Sequence, residues 1–488
     1  MKSPAVRWGM TVGGCFAALY VATLSRWYSG DSLYFAWRVD SASLPDRIDA
    51  HHILLNPACW VWVELWKAAG WTGHSIIPLQ VLNAIAGAAA VTFVFLIVAR
   101  TSGALAAATL ASAGSAVAGG LWLFSTEAED ATLGLAPHIA VLALLLQLDA
   151  TKVRPRTAAG MGVAIAAVAL TYAVGIFLLP VAALVVWQGR GANPSWRRSM
   201  TVLLGSCALG LLPAVIAVVW IQRVHWWGAL YAGYLGGDTY GVLRWDNGPR
   251  GMYAALRMLV LFPGLGINDR TTAFWMAANS GQRAVFVLVY VAVAVVAVVP
   301  LVLFWRHRRE WSLEWRQRFL LWAGMCTIFA FWWVPGDLEF WLPVASGWWI
   351  LVGLLIGRGV VPPFVAALAI PLLFVVNGSA VIWPHRDETR NQLLHAALDI
   401  GQHTSQQDSL ITSSALDIFI RYFVGRTTVN IDTEGSVERA VERVRAQAHQ
   451  SGGRIFLVSV PLDDSARARW QATPAFKAGG IEVVELHP

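Results

Sequence analysis

An acidic residue stands where the first apolar run of the chain ends. Asp31 follows Ser29 and Gly30, directly after the apolar stretch from about Met10 to Tyr28. A carboxylate at the edge of a membrane is costly to desolvate, and a low dielectric raises the pKa of such a group towards the range that a general base needs. Asp31 therefore has the residue type and the place of a catalytic base. Helix capping is the competing interpretation, because Asp accepts backbone N–H bonds at helix starts.

Two adjacent histidines lie further along the same loop. His51 and His52 can bind a phosphate when protonated, or a metal ion when neutral. Adjacent residues on a helix face different ways, so the two seldom ligate one ion, and interfacial histidines with no ligand are the alternative. The loop continues into the amphipathic stretch from Leu54 to Ala69, which is too short and too polar to span and is predicted to lie along the membrane surface.

Three carboxylates then occur within four residues, between two strongly apolar runs. The stretch is Glu127-Ala128-Glu129-Asp130. These side chains repel one another unless a cation or basic groups neutralise them. On an extended backbone, Glu127 and Glu129 are spaced to supply two oxygen ligands for Mg²⁺ or Mn²⁺. The alternative is a solvated loop that avoids the cytoplasmic side.

Two further groups of charged residues lie between apolar runs. A short link holds Asp337 and Glu339 among aromatic, proline and glycine residues, and an interfacial aromatic belt explains the aromatics but not the two acids. A long loop carries basic residues on the face where positive charge is disfavoured. Binding of a lipid phosphate would explain the presence of the whole group, whereas ordinary solvation explains any single basic residue equally well. These residues are Arg223, His225, Arg244, Arg250, Arg257 and Arg270.

The composition indicates which elements must position these residues. Of the 488 residues, 57% are hydrophobic and 13% are charged, and the mean hydropathy is +0.56. A soluble domain has about 25% charged residues, so an ordinary cytosolic enzyme, a disordered chain and a nucleic-acid module are excluded. The 26 Trp residues suit membrane–water interfaces, and the net charge of +7 comes mostly from basic residues at the ends of apolar runs. The four cysteines have no metal-site or disulfide spacing.

The apolar runs predict a polytopic α-helical membrane protein. The stretch from Thr157 to Gln188 decides the number of crossings, because it is either one long helix or two short helices that turn near Tyr172. The second interpretation keeps most Arg and Lys residues in the cytoplasm, and it predicts about 11 crossings with the N-terminus inside and the C-terminus outside. The other predicted spans are 10–28, 76–99, 103–124, 131–149, 200–222, 284–305, 318–334, 342–357 and 361–381.

The composition changes after Ile382, which predicts a second domain over 384–488. No apolar run there is long enough to span, and strands alternate with helices as in a small α/β domain. The stretch has neither a glycine-rich phosphate loop nor a nucleophile motif, so a lid or scaffold beside the membrane site is favoured over a separate catalytic function. The predicted strands are Leu410–Ser413, Thr428–Ile431, Ile455–Val460 and Ile481–Leu486, and the predicted helices are Asp387–His403, Ala415–Val424 and Val437–His449.

Together these features resemble the GT-C superfamily of membrane glycosyltransferases, which includes protein O-mannosyltransferases, aminoarabinose transferases and oligosaccharyltransferase catalytic subunits. The resemblance covers roughly residues 8–345. It rests on the acid after the first span, the amphipathic first loop, the acidic second link, the paired short helices and the tract from Trp333 to Pro343, which resembles a late loop of bacterial members. The resemblance implies a GT-C-like transmembrane domain over 1–383 and an extracytoplasmic α/β domain over 384–488. The outer loops would lie at 29–75, 126–130 and 223–283.

The resemblance also implies an activity. A sugar would move from a polyprenyl-phosphate donor to an extracytoplasmic glycan, lipid or protein acceptor, with inversion and with Asp31 as the general base. Glu127 and Glu129 would hold Mg²⁺ or Mn²⁺ or position the acceptor, although several members of the superfamily need no metal. The residues expected to bind donor or acceptor are His51, His52, Glu127, Glu129, Tyr172, Asp337, Glu339, Arg244 and Arg257.

The implied location is a bacterial-type inner membrane, with a cytoplasmic N-terminus and an extracytoplasmic C-terminal domain. Two other classes of function stay open. A transporter or flippase for a lipid-linked or anionic solute predicts acids and broken helices at mid-membrane, whereas the acids here lie at the outer ends of the predicted spans. A non-catalytic protein of envelope assembly would leave Asp31 replaceable.

Overall fold

The chain forms two compact units in the computed structural model, which describes residues 4–41, 52–221, 247–261, 276, 278–458 and 464–487. The first, called here the membrane unit, comprises Met1–Leu24, Ala42–Gly73 and Ile77–Pro384. The second, called the α/β unit, comprises Ser25–Ser41, His74–Ile76 and His385–Pro488. Two segments of the predicted first outer loop therefore belong to the same unit as the C-terminal residues.

The main helices up to residue 377 follow the apolar runs. They are α1 (Pro4–Ala22), α2 (Gly30–Ser41), α3 (Leu55–Ala68), α4 (Ile76–Ser102), α5 (Leu105–Val117), α6 (Gly119–Thr126), α7 (Ala131–Gln147), α8 (Pro155–Thr171), α9 (Leu178–Gln188), α10 (Trp196–Ile221), α11 (Asn247–Arg257), α12 (Ser280–Arg306), α13 (Leu313–Trp332), α14 (Leu342–Gly357) and α15 (Pro363–Asn377). The two short helices predicted within 157–188 are α8 and α9, and the chain turns between them at Tyr172, as expected.

The predicted polytopic helical membrane fold is confirmed. Within the described ranges, 6 helices are long and apolar enough to cross a membrane, and the bent pair of α5 and α6 makes 7 if it is one span. Helices α7 and α8 are apolar but shorter. The figure of 11 crossings stays a prediction. The 6 helices are Pro4–Ala22, Ile76–Ser102, Ala173–Gly191, Ser280–Arg306, Glu339–Gly357 and Pro363–His385.

The first span begins and ends earlier than the predicted 10–28. Helix α1 ends at Ala22. Ser25 accepts the backbone N–H of Trp27 at 3.1 Å through its hydroxyl. This local bond stabilises a turn instead of another helical residue, so the chain leaves the helix before Tyr28.

The run predicted as one helix over 103–124 is bent by 62° where α5 meets α6. A segment that follows α11 occupies the inside of the bend, and Gly120 donates its N–H to the carbonyl of Met258 at 3.0 Å. A Cβ at Gly120 would lie 2.2 Å from Met258 Cε, so a larger residue there requires the Met258 side chain to move. Asn377 at the end of α15 donates to the carbonyl of Val117 at 2.8 Å. The break depends on these distant partners, which apolar periodicity does not reveal.

The described part of the α/β unit forms a five-stranded sheet with helices. After residue 377, the main elements are α16 (Gln392–His403), β1 (Ser409–Thr412), α17 (Ser414–Phe419), β2 (Thr428–Asn430), α18 (Ile431–Glu434), α19 (Val437–Ser451), β3 (Ile455–Val458), α20 (Asp464–Arg469), β4 (Thr473–Ala478) and β5 (Ile481–Leu486). Strand β1 pairs in parallel with β2 and β3, β5 is antiparallel to β3, and β4 is antiparallel to β5, in the order β2-β1-β3-β5-β4. The apolar face of α19 covers the sheet, and Val441 is buried there against the strands.

The predicted strands and helices of this unit are present, with one strand added. Strand β4 was not predicted, because it lies at the sheet edge and most of its side chains are exposed, so it lacks an apolar alternation. Pro474 is tolerated in β4 because proline has no backbone N–H, and only one side of an edge strand forms hydrogen bonds with a neighbouring strand. The predicted strand Ile455–Val460 is described as far as Val458, and its last two residues lie outside the described ranges.

Candidate active site

The acidic link between α6 and α7 is buried in the membrane unit. Glu127, Glu129 and Asp130 have relative exposures of 0%, 4% and 3%. The link is therefore not the solvated loop that was the alternative interpretation. Buried carboxylates are costly unless neighbouring groups or a ligand stabilise them, so the link has the properties of a functional site.

An asparagine on α4 holds the backbone of the link in place. The Asn83 side-chain amide donates to the carbonyl of Glu127 at 2.7 Å and to that of Glu129 at 2.5 Å. Its carbonyl oxygen accepts the hydroxyl of Thr132 at 2.8 Å. Sequence reasoning missed Asn83, although an amide within an apolar run is a detectable signal, since polar groups inside membrane segments are costly and usually have a role.

A histidine contacts the last acid of the link. His52 Nδ1 lies 3.0 Å from the Asp130 carboxylate, and the His52 side chain is 21% exposed. The same nitrogen is 3.4 Å from the carbonyl of Thr171, and the backbone N–H of Leu54 donates to the carbonyl of Leu170 at 3.0 Å. The segment before α3 is thus fixed to the end of α8, and it places the His52 ring against Asp130.

Tyr172 joins the end of α8 to the late loop that precedes α14. Its hydroxyl donates to the backbone carbonyl of Glu339 at 2.9 Å, and its ring stacks on Phe340 with a centroid separation of 6.4 Å. Burial raises the pKa of Tyr172, and the negative charges of Glu339 and Asp130 raise it further. The phenol therefore stays protonated, as a neutral donor. A Cβ at Gly134 would lie 2.2 Å from Tyr172 Cβ, so α7 approaches the tyrosine closely only because of that glycine.

The two acids of the late loop lie in its turn. Asp337 accepts the backbone N–H of Glu339 at 3.2 Å, and both side chains are half-buried. Glu339 begins the short 3-10 helix Glu339–Trp341. The charges of Asp337 and Asp130 both raise the pKa of Tyr172, so the late loop and the acidic link both lie near this tyrosine. The structure therefore brings together four of the predicted regions in the membrane unit.

Arg257 ends α11 and is 1% exposed. Its guanidinium lies 5.5 Å from the ring centroid of Tyr253. The residues that follow it pack into the bend between α5 and α6. Arg244 and His51, together with Arg223, His225 and Arg270, lie outside the described residues.

Asp31 lies in the α/β unit, in the first turn of α2, and is exposed. The cap of this helix is Ser29, whose hydroxyl oxygen accepts the backbone N–H of Ser32 at 2.9 Å. The Ser29 hydroxyl also donates to that of Ser32 at 2.8 Å. Ser29 therefore supplies a cap of α2, and the assignment of Asp31 as a base stays a prediction.

The described residues contain no group of three or more His, Cys, Asp or Glu side chains arranged to hold a metal ion. Glu127 and Glu129 alone supply two carboxylates, while Asn83 binds the carbonyl oxygens of both. Divalent cations take six or more oxygen ligands, several of which can be water. A Mg²⁺ or Mn²⁺ site stays a prediction.

Similarity to known proteins is found at the level of structure. No family model and no curated protein matches the chain. ArnT from Cupriavidus metallidurans bound to undecaprenyl phosphate is similar over 98% of this chain and 98% of its own, with a TM-score of 0.61 and 13% identity. This chain has the same fold as ArnT. At 13% identity, the similarity establishes the fold and not the activity.

Two further solved structures are similar to the chain. Apo ArnT from Cupriavidus metallidurans is similar over 99% of this chain and 98% of its own, with a TM-score of 0.61 and 13% identity. The archaeal oligosaccharyltransferase AglB from Archaeoglobus fulgidus, in complex with an inhibitory peptide and a dolichol-phosphate, is similar over 92% of this chain and 69% of its own, with a TM-score of 0.48 and 13% identity. The two ArnT structures support the predicted polytopic helical membrane fold, whereas the 11 crossings stay a prediction.

Proposed function

We propose that this protein is an integral membrane glycosyltransferase that takes a sugar from a polyprenyl-phosphate donor and passes it to an extracytoplasmic acceptor with inversion. One observation carries the proposal. Three acids are buried in a short link of a chain whose fold, over 98% of its length, is similar to that of ArnT bound to undecaprenyl phosphate. ArnT is an aminoarabinose transferase, which supports the choice of a lipid-linked sugar as donor.

The reaction makes opposite demands on charge. Transfer from a glycosyl phosphate passes through an oxocarbenium-like transition state, which negative charge stabilises, while the departing phosphate needs cations or hydrogen-bond donors. Glu127 and Glu129 are carboxylates held away from bulk water, where electrostatic stabilisation is strongest. His52, Arg257 and the Tyr172 hydroxyl belong to the cationic or donor class, and we assign them to the phosphate and the sugar.

Asp31 is proposed as the general base. Its carboxylate takes the proton from an acceptor hydroxyl or amine. The acceptor oxygen or nitrogen then attacks the anomeric carbon with its electron pair. The bond from that carbon to the phosphate oxygen breaks, and polyprenyl phosphate leaves with the bonding electrons. Attack from the face opposite the phosphate inverts the anomeric configuration.

The first test is the identity of the bound lipid. Mass spectrometry of lipids that copurify with the protein is expected to find a polyprenyl phosphate or its glycosylated form. Added undecaprenyl phosphate should raise the midpoint of thermal unfolding, because a ligand that binds only the folded state stabilises it. No polyprenyl lipid in the preparation and no such rise would overturn the proposed donor.

The second test is turnover of the Asp31→Asn variant, with undecaprenyl-phosphate hexoses and pentoses as donors. Asparagine keeps the shape of the side chain but cannot take a proton, so sugar transfer should stop while folding is retained. Glu438→Gln is the matched control, since Glu438 is an exposed acid on α19 of the same unit and its loss should leave turnover unchanged. Wild-type turnover by Asp31→Asn would refute the assignment of Asp31 as the general base. If the protein moves the lipid-linked sugar across the membrane of vesicles without transferring the sugar to an acceptor, a flippase is favoured instead.

A further inference from the structure

The helix that carries Asp31 is part of the α/β unit. Helix α2 lies in the segment Ser25–Ser41, which forms one compact unit with His385–Pro488. We propose that the C-terminal residues are a scaffold that orients the Asp31 side chain, with Tyr422 as the positioning residue that holds α2. This inference rests on the proposed function, because it takes Asp31 to be the base.

A buried serine connects α2 to Tyr422. The Ser75 hydroxyl lies 2.8 Å from the Asp40 carboxylate and 3.1 Å from the carbonyl of Ala36, both in the second half of α2. On its other side it lies 3.3 Å from the Tyr422 hydroxyl, which also accepts the backbone N–H of Ile76 at 3.0 Å. Ser75 and Tyr422 are buried, so these bonds form away from competing water.

The segment before α2 has its own connections to the C-terminal residues. The carbonyl of His385 accepts the N–H of Arg26 at 2.7 Å and that of Trp27 at 3.1 Å. The rings of Tyr28 and Phe423 are 5.6 Å apart, and Phe423 is the chain neighbour of Tyr422. The segment is thus held before α2 begins and again near its end.

The length of α2 explains why a contact near Asp40 matters for Asp31. These residues are separated by nine positions, or about 13 Å along the axis at about 1.5 Å per residue. A tilt of about 5° at the Asp40 end would therefore move Asp31 by about 1 Å. Misplacement of a reacting group by about 1 Å can cost about a hundredfold in rate, even when the mutation is far from the chemistry. The bonds of Ser75 and Tyr422 are placed to prevent that tilt.

The test uses the full-length protein and compares Tyr422→Phe, Ser75→Ala and the double variant. Phenylalanine keeps the ring and removes only the hydroxyl. We expect kcat to fall between about tenfold and about a hundredfold while KM for the lipid-linked donor is unchanged. The two single effects should not multiply in the double variant, because both remove the same connection. Amide hydrogen exchange in residues 30–41 should become faster in all three variants.

Val441→Ala is the matched control. It removes buried methyl groups from the core of the same unit, where the side chain packs on the sheet. It should lower the midpoint of thermal unfolding at least as much as Tyr422→Phe, yet leave kcat and exchange in α2 unchanged. If Val441→Ala and Tyr422→Phe both reduce kcat in proportion to the stability that each loses, the positioning role of Tyr422 is refuted and the effect is only structural.

The outcomes separate this inference from the proposed function. Loss of turnover in Asp31→Asn with wild-type kcat and exchange in Tyr422→Phe would refute the positioning role and leave the base in place. Wild-type turnover in Asp31→Asn would refute the assignment of Asp31 as the base, on which this inference rests. Faster exchange in α2 together with a lower kcat, in a variant that still binds undecaprenyl phosphate, would establish the scaffold.

Discussion

Asn83 should be the residue on which the shape of the acidic link most depends. The substitution Asn83→Leu keeps the side-chain volume and removes three buried hydrogen bonds, to the carbonyls of Glu127 and Glu129 and from the hydroxyl of Thr132. Each such bond contributes about 1 kcal/mol, and a buried group left without its partner costs about 1–3 kcal/mol. We therefore expect the free energy of unfolding to fall by at least about 3 kcal/mol.

The expected effect on function is larger than the effect on stability. Without the amide, the carbonyls of residues 127 and 129 turn towards other donors, and the carboxylates on the same residues move with them. Turnover should fall more than tenfold in protein that remains folded, since charge stabilisation depends on fixed geometry. The assay is thermal unfolding in detergent, together with sugar transfer from an undecaprenyl-phosphate donor at a temperature well below the unfolding midpoint.

Asn193 offers a matched control within the membrane unit. It also makes three hydrogen bonds, donating to the carbonyl of Val153 at 2.7 Å and accepting from the N–H and the hydroxyl of Ser195 at 3.0 and 2.7 Å. Asn193→Leu should cost a similar amount of stability and leave the turnover of folded protein unchanged. Equal losses of turnover in the two variants would refute the reasoning, because the acidic link would then have no special part in the reaction.

Two further predictions concern a cation and the predicted metal ion. Arg318, with a 3% exposed side chain, donates to the carbonyls of Leu145 and Leu148 at 3.0 and 2.8 Å. Arg318→Met should therefore lower the free energy of unfolding by about 3 kcal/mol, whereas the exposed Arg309→Met should change it by less than about 0.5 kcal/mol in the same denaturation assay. If a divalent ion is bound by the link, EDTA and Glu129→Gln should each reduce turnover, and full turnover in EDTA would indicate a metal-free site.

The sequence by itself determined most of the elements. Long apolar runs specify membrane helices because each backbone bond in a helix is local. The turn at Tyr172 was predicted from the length of the run 157–188 and from the placement of Arg and Lys residues on the cytoplasmic side. The parallel strands of the α/β unit follow from short apolar runs between helices, whereas the exposed edge strand β4 has no such signal. The acids of the link were identified as a cluster because they are neighbours in the chain. Their burial was not predictable, since a short polar link can be solvated or enclosed.

The tertiary structure decided which side chains meet. Asn83 is 44 residues from Glu127, and Tyr422 is 347 residues from Ser75, so neither pair has a local signature. The contact of His52 with Asp130 and the inclusion of α2 in the α/β unit likewise depend on how whole helices and strands pack. Hydrophobic periodicity records which face of an element is buried but not what covers it. Most elements are therefore properties of the sequence, whereas the break between α5 and α6 and the contacts that hold the acidic link and the helix of Asp31 are properties of the fold.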